Sequence, residues 1–102
     1  MKKVINRKMY DTDTANLVGE YEYSSSNDLK WVFEELYQKK NGEFFLVCSG
    51  GPFSKYGVKC DTNTWKGTFD NVFPLGIEDA KDWAEKHISG TRYVELFGEV
   101  EE

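Results

Sequence analysis

At 102 residues, with 39% hydrophobic, 16% aromatic and 30% charged side chains, the chain is a single folded domain with one core, and its aromatic content excludes a disordered chain. No apolar run approaches the roughly 20 residues of a membrane span, and MKKVINRKMY lacks the apolar stretch of a signal peptide, so a cytoplasmic protein is expected. The formal net charge of −5 is uneven: residues 1–60 carry nine Lys or Arg against eight Asp or Glu, whereas residues 61–102 carry four against ten, which argues against a protein that coats nucleic acid and favours a basic partner surface.

In chain order, Lys3–Ile5 and Met9–Tyr10 flank Asn6-Arg7-Lys8 as a small terminal hairpin. Asp11–Thr14 offers N-cap side chains ahead of Ala15, Leu17 and Val18, with Gly19 as a C-cap, so one or two helical turns are expected there. Glu20-Tyr21-Glu22-Tyr23 alternates as a half-exposed strand does, and Ser24–Asp28 follows as a polar loop.

Two apolar runs, Trp31–Tyr37 and Phe44–Cys48, flank Lys39–Glu43, and the Asn41-Gly42 pair between them predicts a β-hairpin. A two-residue turn sets Leu36 against Val47 and Tyr37 against Leu46. A three-residue loop with Gly42 as a bulge sets Leu36 against Leu46 and Tyr37 against Phe45, and both registers stay open. Leu29, Val32, Phe33 and Leu36 also fit a helical template behind Asn27-Asp28; the Asn-Gly turn favours strand. Large apolar groups on both faces make this hairpin central to a sheet, with one face on a helix and the other partly covered or used for binding.

Gly50–Tyr56 is then a loop, and Tyr56–Cys60 and Thr68–Phe73 read as an antiparallel meander joined through residues 61–67 and ended by Pro74. Ile77, Ala80, Trp83, Ala84 and Ile88 mark one face of a helix over Ile77–His87, with Glu78 and Asp79 in its first turn and Lys86 and His87 in its last. Thr91 caps a second short helix carrying Tyr93, Val94, Leu96 and Phe97, and Gly98 stops it before the acidic tail. The expected fold is α+β: one domain over residues 1–102, built as a twisted antiparallel sheet of about four to six strands with a C-terminal helix packed on one face plus short helices.

The inventory for catalysis is poor. His87 reads as a dipole partner at a helix C-terminus, and no motif places Ser or Cys beside it. Glu34 and Glu35 are neighbours on a strand and face opposite sides. Two cysteines and one histidine make no familiar zinc set, and Cys48 and Cys60 are expected to be reduced thiols. Gly50-Gly51-Pro52-Phe53-Ser54-Lys55 suggests an anion-binding turn but lacks phosphate-loop spacing, so a structural turn is the better reading. Tyr21, Tyr23, Tyr37 and Phe44 lack the basic surround of a base-stacking sheet. No enzyme activity, cofactor or metal is expected.

The string Tyr10-Asp11-Thr12-Asp13-Thr14-Ala15, then Glu35-Leu36-Tyr37-Gln38-Lys39-Lys40-Asn41-Gly42-Glu43-Phe44-Phe45-Leu46, then Gly50-Gly51-Pro52 with Ser54-Lys55-Tyr56, resembles small proteins encoded on phages, plasmids and integrative elements of Firmicutes. The pattern continues through Pro74-Leu75, Ala80, Trp83-Ala84-Glu85 and Phe97-Gly98-Glu99, and departs at Ser49 and over Cys60–Asn71. Such mobile-element proteins include anti-CRISPR proteins, so the resemblance implies an inhibitor of a type II CRISPR effector nuclease in a bacterial cytoplasm. The physics adds a mechanism: carboxylates on one rigid face occupy the basic groove meant for guide RNA and DNA, at the step of RNA loading or DNA binding. Glu78, Asp79, Asp82 and Glu85 on the principal helix, with Glu95 and Glu99 beyond it, are the residues expected to touch that partner. The alternative is an accessory or regulatory factor of a mobile element that binds a protein through its sheet.

Overall fold

The computed structural model describes residues 1–25 and 27–102; Ser26, within the polar loop expected over Ser24–Asp28, lies outside them. Strands β1 (Lys2–Ile5), β2 (Lys8–Asp11), β3 (Asn16–Tyr23), β4 (Val32–Gln38), β5 (Phe44–Gly50), β6 (Val58–Asp61), β7 (Thr64–Lys66) and β8 (Thr68–Leu75) precede helices α1 (Ile77–His87) and α2 (Gly90–Phe97). The fold is α+β. An antiparallel sheet in the order β3-β4-β5-β8 forms its centre, and β1-β2 and β6-β7 are separate two-stranded ribbons. Among the described residues no helix is long and apolar enough to cross a membrane.

The central hairpin is β4–β5. Gly42 N–H donates to the Lys39 carbonyl at 2.9 Å, Lys39 N–H donates to the Glu43 carbonyl at 2.7 Å, and Gly42 has φ +93°. That conformation suits glycine and makes the three-residue loop with a bulge. Leu36 therefore opposes Leu46 and Tyr37 opposes Phe45. Pairing on both edges of β4 settles strand over helix for this segment.

Alternation then divides the core. Toward the helices lie Leu36, Phe44, Leu46 and Cys48, closed by Ala80 and Trp83 of α1. Toward the other side lie Phe45, Val47 and Val72, capped by Tyr10 of the β1–β2 ribbon, whose ring meets Phe45 edge-on at 5.4 Å. β5 is buried along its whole length because both sides of the sheet are covered there.

Six local expectations are corrected. The helical turns over Ala15–Gly19 do not form, because Leu17 pairs with Tyr37 and Gly19 with Leu36 along the edge of β4. A run that short is marginal as an isolated helix, and strand pairing satisfies its backbone instead. Gly19 is no C-cap: it lies beneath α1, where an added Cβ would stand 2.5 Å from Ile88 Cγ2. The meander is also replaced, since β6 turns back on β7 and β8 crosses to pair with β5.

Pro74 does not end that strand but sits inside β8 opposite Phe45. β8 is an edge strand, where a missing donor is tolerated. Ile77 leaves the core face and is 50% exposed beside an open groove that it lines with Pro74 and Leu75. Finally, Ser89 rather than Thr91 caps α2, its Oγ accepting from Arg92 N–H at 3.1 Å.

Trp83 is 8% exposed, and its replacement by alanine is expected to cost about 3 to 5 kcal/mol in urea denaturation. Gly19→Ala should cost about 1 to 3 kcal/mol by pressing on Ile88. Parent-like melting of Trp83→Ala would mean that α1 does not close the core.

Candidate partner-binding surface

Helical geometry sets Glu78, Asp82 and Glu85 at i, i+4 and i+7, opposite the buried stripe of Ala80, Trp83 and Ala84. All three are exposed, separated along the axis by about 6 and about 4.5 Å. Asp79 is exposed on the flank of this ridge. Lys81 turns toward α2, its Nζ 5.9 Å from the centre of the Phe97 ring.

Glu95 is carried by α2 and pairs with Arg92 of the same helix at 3.3 Å; Glu99 is exposed just past the Gly98 cap. The structure thus gathers Glu78, Asp82 and Glu85 into one ridge, with Asp79 at its side. Glu95 and Glu99 belong to other elements. Among the described residues Glu78, Asp79, Asp82, Glu85 and Glu99 form no ion pair.

What holds the ridge is a carboxylate that sequence spacing did not single out. Glu34, between Val32 and Leu36 on the helix-facing side of β4, is only 1% exposed. Trp83 Nε1 donates to its Oε1 at 3.0 Å, the Tyr56 hydroxyl donates to its Oε2, and Lys55 Nζ lies 2.9 Å from the same oxygen. Burial alone pushes the Glu34 carboxyl up. Hydrogen bonds from Tyr56, Lys55 and Trp83, with the lysine's charge, outweigh that and hold it below the usual carboxylate range.

Neighbouring groups are tuned by the same burial. The Cys48 thiol is pushed up to about 11, so it stays protonated and donates to the Asn71 carbonyl at 3.6 Å. Burial also lowers His87, whose ring lies 4.2 Å from that of Tyr21 and 4.7 Å from that of Trp83. Its ring packs against both aromatics in the last turn of α1, the place expected for it from the sequence.

The Gly50–Lys55 turn acquires its purpose here. Gly51 N–H donates to the Trp31 carbonyl and Phe53 N–H to the Leu29 carbonyl, each at 2.9 Å. The Ser54 hydroxyl donates to the Gly51 carbonyl at 2.8 Å and accepts from Tyr56 N–H at 3.2 Å. A Cβ at position 51 would strike the Leu29 carbonyl, so glycine is required for this approach. Gly51 and Phe53 thus bind chain rather than an anion, and the turn delivers Lys55 and Tyr56 to Glu34. One sequence signal was available: a lone glutamate at a buried position of a period-2 strand, on the face that meets Trp83.

Glu34→Gln is expected to lose about 2 to 4 kcal/mol, because charged hydrogen bonds to buried donors are weakened together. Lys55→Ala should lose less than about 1 kcal/mol, its side chain being 62% exposed. Since the folded Glu34 titrates below its ordinary 4.5, its contribution is present above that pH and is lost as pH falls through the lower folded value. Denaturation across pH should show a flatter acid limb for Glu34→Gln than for the parent, and identical limbs would remove Glu34 from the account.

Comparison of the chain with protein-family models, with curated proteins and with solved structures found no match.

Proposed function

We propose that this protein inhibits a type II CRISPR effector nuclease in the bacterial cytoplasm by setting the α1 ridge into a basic groove meant for nucleic acid. The observation that carries this reading is the exposed row Glu78, Asp82 and Glu85 on a helix whose opposite stripe is fastened to the sheet. Fixed carboxylates suit a basic channel, because the attraction is not spent on ordering side chains from a mobile segment. The sequence resemblance to mobile-element proteins supplies the setting.

Guide-RNA loading is the step this mechanism favours, since the empty effector presents its largest basic surface before the RNA arrives. Binding rather than catalysis is supported by Glu34 already accepting three donors and by Cys48 being held as a thiol rather than the nucleophilic thiolate. Binding dominated by charge is expected to weaken steeply with salt.

The test assays DNA cleavage with the protein added before and after guide RNA, using the parent and a variant carrying Asp79→Lys, Asp82→Lys and Glu85→Lys. The parent is expected to inhibit when added first, and the variant to lose at least about tenfold in potency. Absence of inhibition by the parent in either order ends the proposal. Equal inhibition by the reversed variant moves the contact off α1.

A further inference from the structure

The side of the sheet away from α1 is covered only in part. The β1–β2 ribbon lies on Phe45, Val47 and Val72. Beyond it, strand pairing sets Glu20 directly opposite Glu35, and Glu22 directly opposite Phe33. An open concavity of about 420 Å³ is lined there by Glu22, Ser25, Trp31, Phe33 and Ser49.

At its edge, β8 carries an extra residue opposite Ser49, with Asp70 at φ +51°, and the adjacent Phe69 is 71% exposed with its ring 5.7 Å from that of Trp31. Bulges of this kind re-aim a neighbouring side chain. Like charges directly across a ladder destabilise it. Burial, with the charges of Glu20 and Asp70, pushes the Glu35 carboxyl above its usual range. Among the described residues no ion pair is formed by Glu20, Glu22, Glu35 or Asp70.

We propose that this half-face docks an arginine-bearing segment of a protein partner. The floor is aromatic and the rim is anionic, which is the combination a guanidinium meets best: its plane stacks on Trp31 or Phe33 while its forked donors reach the carboxylates. An ammonium offers one point of charge and no plane, so lysine fits the same place less well. Nucleic acid is repelled by the rim. A second copy of this chain would set carboxylate against carboxylate at a net charge of −5 each. The inference stands apart from the inhibitor reading, because the α1 ridge lies on the other side of the sheet and the test needs no nuclease.

The experiment titrates isotopically labelled full-length protein, at low salt, with a short glycine–serine peptide carrying alternating arginines, and with its lysine and citrulline counterparts. Arginine peptide is expected to shift the Trp31 indole and the amides of Glu22, Phe33 and Glu35, with lysine weaker and citrulline inert. Glu22→Gln with Glu35→Gln should raise Kd roughly tenfold or more, and Phe69→Ser should raise it as well. Glu35→Gln relieves the repulsion from Glu20 across the ladder and Glu22 stands opposite the uncharged Phe33, so that variant should melt no lower than the parent. Asp82→Lys on α1 should leave the sheet-face shifts in place. No binding of the arginine peptide, shifts confined to α1, equal binding of the citrulline peptide, or parent-like affinity in the carboxamide variant would each overturn the proposal.

Discussion

A single buried carboxylate ties three distant parts of this chain together. Glu34 takes the indole N–H of α1, the hydroxyl of Tyr56 and the ammonium of Lys55, and is 1% exposed while doing so. An uncompensated charge at that place would cost several kcal/mol, so the donors are a condition of the fold as well as a gain to it. The position of α1 over the sheet follows from meeting that condition. So does the path of residues 51–57, which must return to Glu34 from the end of β5. Apolar packing around Trp83 supplies most of the driving force, and the carboxylate decides the orientation in which it is applied.

Much of the architecture was legible because it rests on local chemistry. Asn41-Gly42 announces the hairpin, and the spacing of Ala80, Trp83 and Ala84 announces α1. Where the reading failed, a tertiary partner overrode a local signal. Ala15–Gly19 carries cap-like residues at each end, yet the free edge of β4 recruits it as strand. Pro74 punctuates in isolation, yet an edge strand absorbs it. The six acids expected to contact a partner are exposed, as an amphipathic helix and an acidic tail imply. Glu34 was hidden for a different reason: its donors come from a loop 21 and 22 residues on and a helix 49 residues on, and no local pattern links them.

Counting charges along the chain also concealed their distribution in space. Residues 1–60 are nearly balanced, which suggested that acidity belonged to the second half alone. Strand pairing changes that, because β3 and β4 bring Glu20, Glu22 and Glu35 onto one face while Lys8 and Lys39 are drawn to Glu43 at the far end of the hairpin. The folded molecule therefore has two anionic surfaces, one on each side of a single sheet. One is a convex helical ridge; the other is a shallow aromatic floor edged by carboxylates. Surfaces so different in shape suit different contacts, and a partner that engages one leaves the other free.

The ribbon formed by β6 and β7 differs from every other strand pair in having no residue shielded from solvent. Its backbone bonds are therefore supported by little apolar burial, and opening them exposes almost nothing that folding had covered. Amide exchange over Val58–Lys66 should accordingly proceed by local opening at rates unrelated to global stability, while β4 and β5 exchange only as the whole domain unfolds. In evolutionary terms the same looseness makes the Thr62-Asn63 tip the place where this chain can lengthen, shorten or acquire new side chains at least cost to the rest.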